Sequence, residues 1–402
     1  MPRRRARRRA ALALLALALG ACSQQPASHS TATGASATPA SPSAPRSASA
    51  PPSASASPSP AAGLAGIPPA LDPHDLYAAD RPGLLAPEAA KARPLVYVPD
   101  STDGTVHVID PVTYRVLRVE RVGALPQHIT PSYDLRTLWV SNNKGNSLTP
   151  VDPRTGAFGT AVPVDDPYNL YFTADGSSAV VVAERLRRLD FRDPHTMRLT
   201  RSVPVPCPGV DHLDVSSDGR FALVSCEFGA AMIYVDMQKR EVVRTISLPA
   251  GSMPQDVKLS PDGSVYYVAD MMHAGVYLID AHTLAVLGLV PTGSNAHGLY
   301  VSRDSKTLYV TNRLGHSVSL IDLATRRVRA TWPVPGGTPD MGGLNADGTV
   351  LWLSGRYSRE VYALDTRTGA LLARIPVGGG PHGLCVWPQP GRYSLGHTGI
   401  LR

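Results

Sequence analysis

The sequence predicts an all-β protein, a seven-bladed β-propeller closed by a C-terminal strand, and three observations lead to this fold. Each repeat of about 42 residues carries four short runs of β-branched and aromatic residues, which favour strands. Turn aspartates recur at intervals of 41 to 44 residues: Asp134, Asp175, Asp218, Asp262, Asp304 and Asp347. Aspartates that end a β-rich run recur seven times at similar intervals: Asp110, Asp152, Asp193, Asp236, Asp280, Asp322 and Asp365. Four strands per repeat of this length are typical of propeller blades.

The first segment, residues 1–21, has the pattern of a secretory signal peptide. Arginines precede the apolar run Ala10 to Leu19, and small residues follow. The run is too short for a permanent membrane span, which needs about 20 apolar residues. Leu19 to Cys22 resembles a bacterial lipobox, which implies lipidation of Cys22 and anchoring to the outer face of the cell membrane.

The composition argues against nucleic-acid binding. The chain carries 39 basic and 32 acidic residues, but six of the basic residues are leader arginines. The exported remainder is nearly neutral and lacks the basic surface that DNA or RNA requires. Arginine outnumbers lysine and alanine is abundant, which is typical of a high-GC genome and suggests an actinobacterium.

The organisation of the exported chain follows from its composition. Residues 22–66 are almost wholly Ser, Ala, Pro, Thr and Gly, so we expect a disordered, extended tether. Residues 67–94 contain apolar anchors but no repeat, which suggests a cap packed on the domain. The propeller covers residues 95–388, where Gly383 to Trp387 supplies the innermost strand of the N-terminal blade. The tail, residues 389–402, has no counterpart in the repeats.

The second strands carry a motif that indicates a family. Tyr309 to Asn312 reads YVTN and is echoed by Tyr97 to Asp100, Trp139 to Asn142 and Tyr267 to Asp270. This motif resembles the YVTN-repeat β-propeller family, of which YncE-like proteins are members, over residues 95 to 388. The repeat is also similar to that of the nitrite-reductase propeller domain, and members of the group differ in function, so the resemblance implies the fold and not an activity.

The candidate site lies where the innermost strands begin, because these ends converge on one mouth of the central channel. Aligned on the turn aspartates, the converging side chains include His128, Asp211, His212, Gln255, Asp256, His297, Asp340 and His382. Loops between second and third strands open on the same face. They place Glu184 and Glu227 opposite Arg313 and Arg356, which suits a polar, anionic or zwitterionic ligand. Solvated polar residues without a ligand are the alternative.

Metal binding is a second interpretation of the same mouth. Imidazoles, carboxylates and a methionine are ligands for transition metals, and His212, His297 and His382 are the candidate ligands. The sequence requires no cofactor, and a possible metal ion stays open. It contains no Gly-rich phosphate loop, nucleophile elbow or haem attachment motif.

The cysteines fit an oxidising compartment. Cys207 lies just before an innermost strand and Cys226 ends the strand that returns to the same mouth, so a Cys207–Cys226 disulfide is expected. A soft-metal site formed with His212 is the alternative. Cys385 is expected to be a buried thiol.

Two functions follow from these observations. The first is a membrane-tethered, extracytoplasmic propeller, not an enzyme, that binds a small molecule or a protein through its channel mouth. The alternative is a metal- or cofactor-dependent enzyme or redox protein, lactonase-like or nitrite-reductase-propeller-like, that uses the His and Asp residues of the same mouth.

Overall fold

A computed structural model describes residues 66–397 and 400–402 of the chain. The predicted leader, the lipidation site Cys22 and nearly all of the tether lie outside these residues. Two short 3-10 helices, Ala78–Asp80 and Ala89–Lys91, precede the first strand. Neither helix in the described residues is long and apolar enough to cross a membrane.

The described chain folds into seven antiparallel sheets, which confirms the predicted propeller. Blade 1 contains β1 (Leu95–Asp100), β2 (Thr105–Ile109) and β3 (Val116–Arg121). Blade 2 contains β4 (Pro126–Pro131), β5 (Leu138–Asn142), β6 (Ser147–Val151) and β7 (Val162–Pro163). Blade 3 contains β8 (Pro167–Phe172), β9 (Ala179–Ala183), β10 (Arg188–Arg192) and β11 (Leu199–Pro204). Blade 4 contains β12 (Val210–Val215), β13 (Phe221–Cys226), β14 (Ala231–Asp236) and β15 (Glu241–Ser247).

The remaining strands complete the ring. Blade 5 contains β16 (Pro254–Leu259), β17 (Val265–Asp270), β18 (Gly275–Asp280) and β19 (Val286–Pro291). Blade 6 contains β20 (Ala296–Val301), β21 (Thr307–Asn312), β22 (Ser317–Asp322) and β23 (Arg327–Pro333). Blade 7 contains β24 (Pro339–Leu344), β25 (Val350–Gly355), β26 (Glu360–Asp365) and β27 (Leu371–Pro376). The C-terminal strands are β28 (Cys385–Trp387), β29 (Ser394–Gly396) and β30 (Ile400–Leu401).

The ring closes as the sequence predicts. Strand β28 pairs antiparallel with β1, with Leu95 opposite Trp387 and Tyr97 opposite Cys385. The innermost strand of blade 1 therefore comes from the far end of the chain, and the two ends of the repeat region hold each other in register.

Local chemistry explains the recurring aspartates. In the strand turns, Asp175 is followed by Gly176 at φ +69°, a left-handed conformation that glycine adopts without strain. At the ends of third strands, Asp280 Oδ1 accepts the backbone N–H groups of His282 and Thr283 at 3.0 and 2.7 Å. These aspartates stabilise turns, so their regular spacing is structural.

The core lies between blades, where apolar side chains of neighbouring sheets pack. One such layer combines Val180 and Leu189 of blade 3 with Val224 and Ile233 of blade 4. The segment before β1 packs against the end of the ring opposite the candidate mouth. There the Tyr77 hydroxyl donates to Leu259 O at 2.8 Å.

The C-terminal tail is the part of the fold that the sequence did not predict. Strand β29 continues the sheet of blade 3 inward from β8, and β30 pairs with β29, so this blade has six strands. Gly396 lies opposite Tyr171, at φ +115°, and a Cβ on it would lie 2.4 Å from Tyr171 Cα. Only glycine fits this approach, which brings the tail to the propeller axis beside the innermost strand.

Candidate functional site

The innermost strands present polar side chains to the axis in two successive layers. We call the end at which these strands begin the upper mouth. The upper layer contains Gln127, Tyr168, Asp211, Gln255, His297, Asp340 and His382, and the middle layer contains His128, Asn169, His212, Asp256, Gly298, Met341 and Gly383. All of the polar members are buried, so the axis of the described chain is packed with side chains.

Asp340 organises one side of the upper layer. Its carboxylate accepts two hydrogen bonds from the Arg313 guanidinium, at 2.9 Å from Nε and 2.5 Å from Nη2. Nδ1 of His382 lies 2.7 Å from Oδ2, and Nδ1 of His297 lies 3.2 Å from Oδ1. Burial alone would raise the pKa of Asp340, but Arg313 and His297 outweigh burial and lower it. Asp340 is therefore the ionised centre of a buried network that orients two imidazole rings.

The two arginines of the mouth are both engaged by the chain itself. Arg313 is almost fully buried on Asp340, and the Nη1 atom of Arg356 donates to Ser101 Oγ at 3.2 Å and to Gly380 O at 3.4 Å. The sequence suggested an anionic or zwitterionic ligand held by this pair. In the structure Arg313 has a counterion, Asp340, whereas Arg356 is held by two neutral acceptors.

Three carboxylates form the acidic side of the mouth. Asp211 is fully buried, neither of its oxygens receives a hydrogen bond, and Oδ1 lies 3.5 Å from His212 Nε2. Burial first, and then the neighbouring Glu227 and Glu184, raise the pKa of Asp211 well above its usual range. Burial and Glu227 likewise raise the pKa of Glu184 to about 7. Gathering like charges in a poorly hydrated place is unfavourable unless a proton or a cation joins them.

Five imidazoles meet on the axis, two from the upper layer, two from the middle layer and one from the tail. We call His128, His212, His297, His382 and His397 the axial histidines. The ring centroids of His128, His212 and His397 are 4.8 to 5.2 Å apart. His382 lies 4.8 Å from His128 and 5.6 Å from His297. Of the three candidate metal ligands from sequence, His212 and His297 are 6.2 Å apart, and His382 and His297 share Asp340.

Burial keeps these rings neutral. It lowers the pKa of His128, His297, His382 and His397 well below the usual value of histidine, and the pKa of His212 to about 3. Neutral imidazole is the form that binds metal ions.

Main-chain contacts between blades bring the rings of His128 and His382 together. The Gly383 N–H donates to Gln127 O at 2.9 Å, and the Ile129 N–H donates to Gly383 O at 3.1 Å. A Cβ on Gly383 would lie 2.1 Å from His128 Nδ1, so this glycine provides the space that the His128 ring occupies.

Sequence alignment of the blades found four of the axial histidines but not His397. This residue lies in the tail, outside the repeat, and the register that located the others does not extend to it. The middle-layer glycines gave no signal for it, because the space at Gly298 is taken by Tyr300 and Asp340 and that at Gly383 by the His128 ring.

The other predicted positions are also located. Gln255 is buried in the upper layer, where its Nε2 atom donates to Met253 O at 3.3 Å. Cys207 and Cys226 form a disulfide at the upper end of blade 4, and Cys385 is a free, buried thiol. The disulfide leaves no thiolate for the soft-metal alternative.

Four exposed apolar side chains rise around the mouth. They occupy equivalent positions in the loops between second and third strands of blades 4 to 7: Phe228, Met272, Leu314 and Tyr357. These side chains form an apolar rim along four of the seven blades, beside the charged mouth, a combination typical of binding surfaces.

Comparisons with solved structures agree on the fold. The chain is similar to a periplasmic gluconolactonase of Pseudomonas aeruginosa, with 20% identity over 74% of this chain and 99% of that one and a TM-score of 0.62. It is similar to hydrazine synthase of Kuenenia stuttgartiensis, with 24% identity over 63% of this chain and 87% of that one and a TM-score of 0.55. It is also similar to the dihydro-heme d1 dehydrogenase NirN in complex with DHE, with 17% identity over 76% of each chain and a TM-score of 0.57. At these identities the likeness concerns the fold alone.

Sequence comparison gives the family. No curated protein sequence matches the chain. A family model described as YNCE-like beta-propeller matches residues 59–390, which cover the entire ring. The chain therefore belongs to the YncE-like β-propeller family.

Proposed function

We propose that the protein is an exported, membrane-tethered binding module, not an enzyme, that takes a cationic ligand at the upper mouth of its channel. The observation that carries this proposal is the group formed by Asp211, Glu184 and Glu227. Among the described residues these carboxylates have no arginine or lysine within ion-pairing distance, whereas Asp340 across the mouth is paired with Arg313.

Electrostatics favours a cation over an anion here. Burial raises the pKa of Glu227, and a hydrogen bond from Gln255 and the charges of Arg313 and Arg356 only partly oppose this effect. A bound cation would compensate the three carboxylates and lower their pKa values again. The apolar rim formed by Phe228, Met272, Leu314 and Tyr357 would exclude water from the ligand and strengthen this attraction.

The location outside the cell is inferred from the leader and from the lipobox ending at Cys22. The Ser/Ala/Pro-rich tether would let the propeller reach well beyond the membrane surface, at about 3 Å per extended residue. A domain of this kind samples ligands outside the cell while it stays attached to it.

Thermal unfolding with a panel of cations tests the proposal. We expect at least one of Cu²⁺, Zn²⁺, Ca²⁺, Mg²⁺, putrescine or spermidine to raise Tm. At a cation concentration of 100 times Kd the free energy of unfolding rises by about 2.7 kcal/mol, which raises Tm by roughly 4 °C for a domain of this size. The Glu184→Gln/Glu227→Gln variant should lose the gain, and Glu120→Gln/Glu360→Gln on outer strands should keep it. A panel without effect, or a shift that the mouth variant retains in full, would contradict the proposal.

A further inference from the structure

We propose that the axial histidines form a binding site for a late first-row transition-metal ion, copper or zinc, and that the C-terminal tail supplies one of its ligands, His397. This inference rests on the proposed function in one respect, since it names the cation that the mouth admits. The site itself lies below the mouth carboxylates and is built from different side chains.

The spacing of three rings matches metal coordination. A metal bound to imidazole nitrogen at ~2.0–2.1 Å lies about 3.2 Å from the ring centroid, and tetrahedral geometry then separates centroids by about 5 Å. The centroids of His128, His212 and His397 are 4.8, 4.9 and 5.2 Å apart. The centroids of three rings from two blades and the tail therefore have the separations found around a histidine-bound ion.

Unpartnered nitrogens point to a ligand at this place. Both ring nitrogens of His128 and both of His397 are buried and make no hydrogen bond, and neither does Nε2 of His212. A buried polar atom without a partner costs about 1–3 kcal/mol, and native proteins contain few of them. One metal ion would compensate three of these five atoms, one on each ring.

A carboxylate is available as a fourth ligand. Ligand atoms of Asp256, His212 and His397 all lie within 4.8 Å of one another. The Asp256 carboxylate is held by the N–H groups of Val257 and Leu299, each at 2.9 Å, so its position is fixed before any ligand binds. The His128 nitrogens are not part of this group, so the His128 ring would have to turn to complete three imidazoles and one carboxylate, a typical tetrahedral zinc or copper set.

Hydrogen bonds orient the other rings. Asp340 contacts Nδ1 of both His297 and His382, the usual arrangement in which a carboxylate orients a metal-binding histidine. His212 differs, because its Nδ1 accepts the Asn169 amide N–H at 2.9 Å and its proton therefore sits on Nε2. Coordination through Nε2 would move that proton to Nδ1 and turn the Asn169 amide so that its oxygen accepts the new N–H, so metal binding should change the tautomer of His212 without releasing a proton.

The donor set selects the metal class. Imidazole suits copper and zinc, whereas calcium and magnesium need several oxygen ligands. The Met341 thioether lies 3.0 Å from Nδ1 of His297 and adds a soft donor next to the cluster. On the affinity order of divalent ions, copper should bind more tightly than zinc.

The test uses the full chain, stripped with a chelator and then incubated or refolded with CuSO₄ or ZnCl₂, so that a slow route to the buried site does not hide binding. We expect one equivalent to be retained after gel filtration, with nitrogen hyperfine structure in the Cu²⁺ electron paramagnetic resonance spectrum. Loss of a ligand should weaken binding more than the 10- to 100-fold typical of outer-shell changes, so His397→Gln and His128→Asn should each lower affinity by about 100-fold or more. His195→Gln, on an exposed turn, should have no effect.

Three outcomes would overturn the inference. They are retention far below one equivalent after refolding, unchanged affinity in both His397→Gln and His128→Asn, or an equal loss in His195→Gln, which would indicate surface binding. The two proposals fail separately. Binding of putrescine or spermidine at the mouth without copper or zinc would refute the metal site and leave the function intact. Metal binding to the axial histidines with the same affinity and the same rates in Glu184→Gln/Glu227→Gln would refute the proposed function and leave the metal site intact.

Discussion

Asp340→Asn is the substitution whose effect can be worked out furthest from the structure. The carboxylate is fully buried, pairs with the almost fully buried Arg313 and contacts the Nδ1 atoms of His297 and His382. Neutralising it leaves the buried guanidinium charge of Arg313 without a counterion. Breaking one side of a buried pair costs about 3–5 kcal/mol.

The loss can be measured as a shift in Tm. With an unfolding entropy of roughly 2.1 cal/mol/K per residue, a domain of this size changes Tm by about 1.4 °C per kcal/mol. Asp340→Asn should therefore lower Tm by about 4–7 °C in differential scanning calorimetry with a chelator present. The matched control is Glu360→Gln, whose partner Arg374 is one-third exposed. Surface pairs contribute about 0–1 kcal/mol, so this variant should shift Tm by roughly 1 °C or less.

A double-mutant cycle separates the ion pair from general damage. Arg313→Met alone should also be destabilising, but Arg313→Met together with Asp340→Asn should cost at least ~1 kcal/mol less than the sum of the two. The stabilisation by ionised Asp340 is present above the unfolded pKa of aspartate, and it is lost as pH falls through the lower folded pKa. Equal Tm shifts for Asp340→Asn and Glu360→Gln, or strict additivity in the cycle, would refute this description of the network around Asp340.

Three further predictions concern other parts of the molecule. Burial raises the pKa of Asp80 from 3.8 to about 7. As pH rises from 5 to 8 the carboxyl loses its proton in the unfolded chain first, so the wild type should lose about 2–3 kcal/mol of stability relative to Asp80→Asn. Chemical denaturation at both pH values measures this difference. Serine at both Cys207 and Cys226, which are separated by 19 residues, should lower stability by about 3 kcal/mol, as measured by calorimetry with and without reductant. Gly383→Ala would push a methyl group into the His128 ring and should lower copper affinity, as measured by chelator competition.

Controls from the same chain accompany these predictions. Asp165→Asn replaces an exposed carboxyl and should show no extra pH dependence. The reductant should lower the Tm of the wild type and leave the serine variant unchanged. Gly343→Ala would bring a methyl group to 3.3 Å from the movable end of Gln389, so copper affinity should be nearly normal. A Gly343→Ala effect as large as that of Gly383→Ala would contradict the proposed role of Gly383.

The ring was predictable because its signals are local and repeated. Asp-Gly turns, β-branched runs and the capping aspartates fix each hairpin within a few residues, and the closing pair of β1 and β28 follows from a strand missing at one end and present at the other. The predicted start of β1 at Leu95 agrees with the structure. The upper-layer residues were found by the same register.

The missing parts depend on contacts that no local pattern encodes. His397 reaches the axis because Gly396 can pass Tyr171 at close range, a contact across 225 positions of sequence. Likewise, the charge of Arg313 could be read from sequence, but its engagement by Asp340 could not, because the two residues belong to neighbouring blades. Residue type and layer were therefore predictable, whereas pairing within a layer was not.

The positions of the mouth carboxylates and the axial histidines predict an order of events. The tail occupies the axis beside the innermost strands, and His397 is fully buried there. A metal ion that enters from the upper mouth would pass Glu184 and Glu227 before it reaches the imidazoles. Carboxylates at an opening raise the association rate of cations and do so more strongly at low salt, whereas the final ligands determine the dissociation rate.

Stopped-flow kinetics should therefore distinguish the effects of the mouth carboxylates from those of the axial histidines. Glu184→Gln/Glu227→Gln should slow copper association by about tenfold at low ionic strength. The effect should shrink at 1 M salt, where the screening length is about 3 Å. His397→Gln should instead speed dissociation and leave association nearly unchanged. If the mouth variant changed only the dissociation rate, or if its effect were independent of salt, the ion would reach the histidines by a route other than the upper mouth.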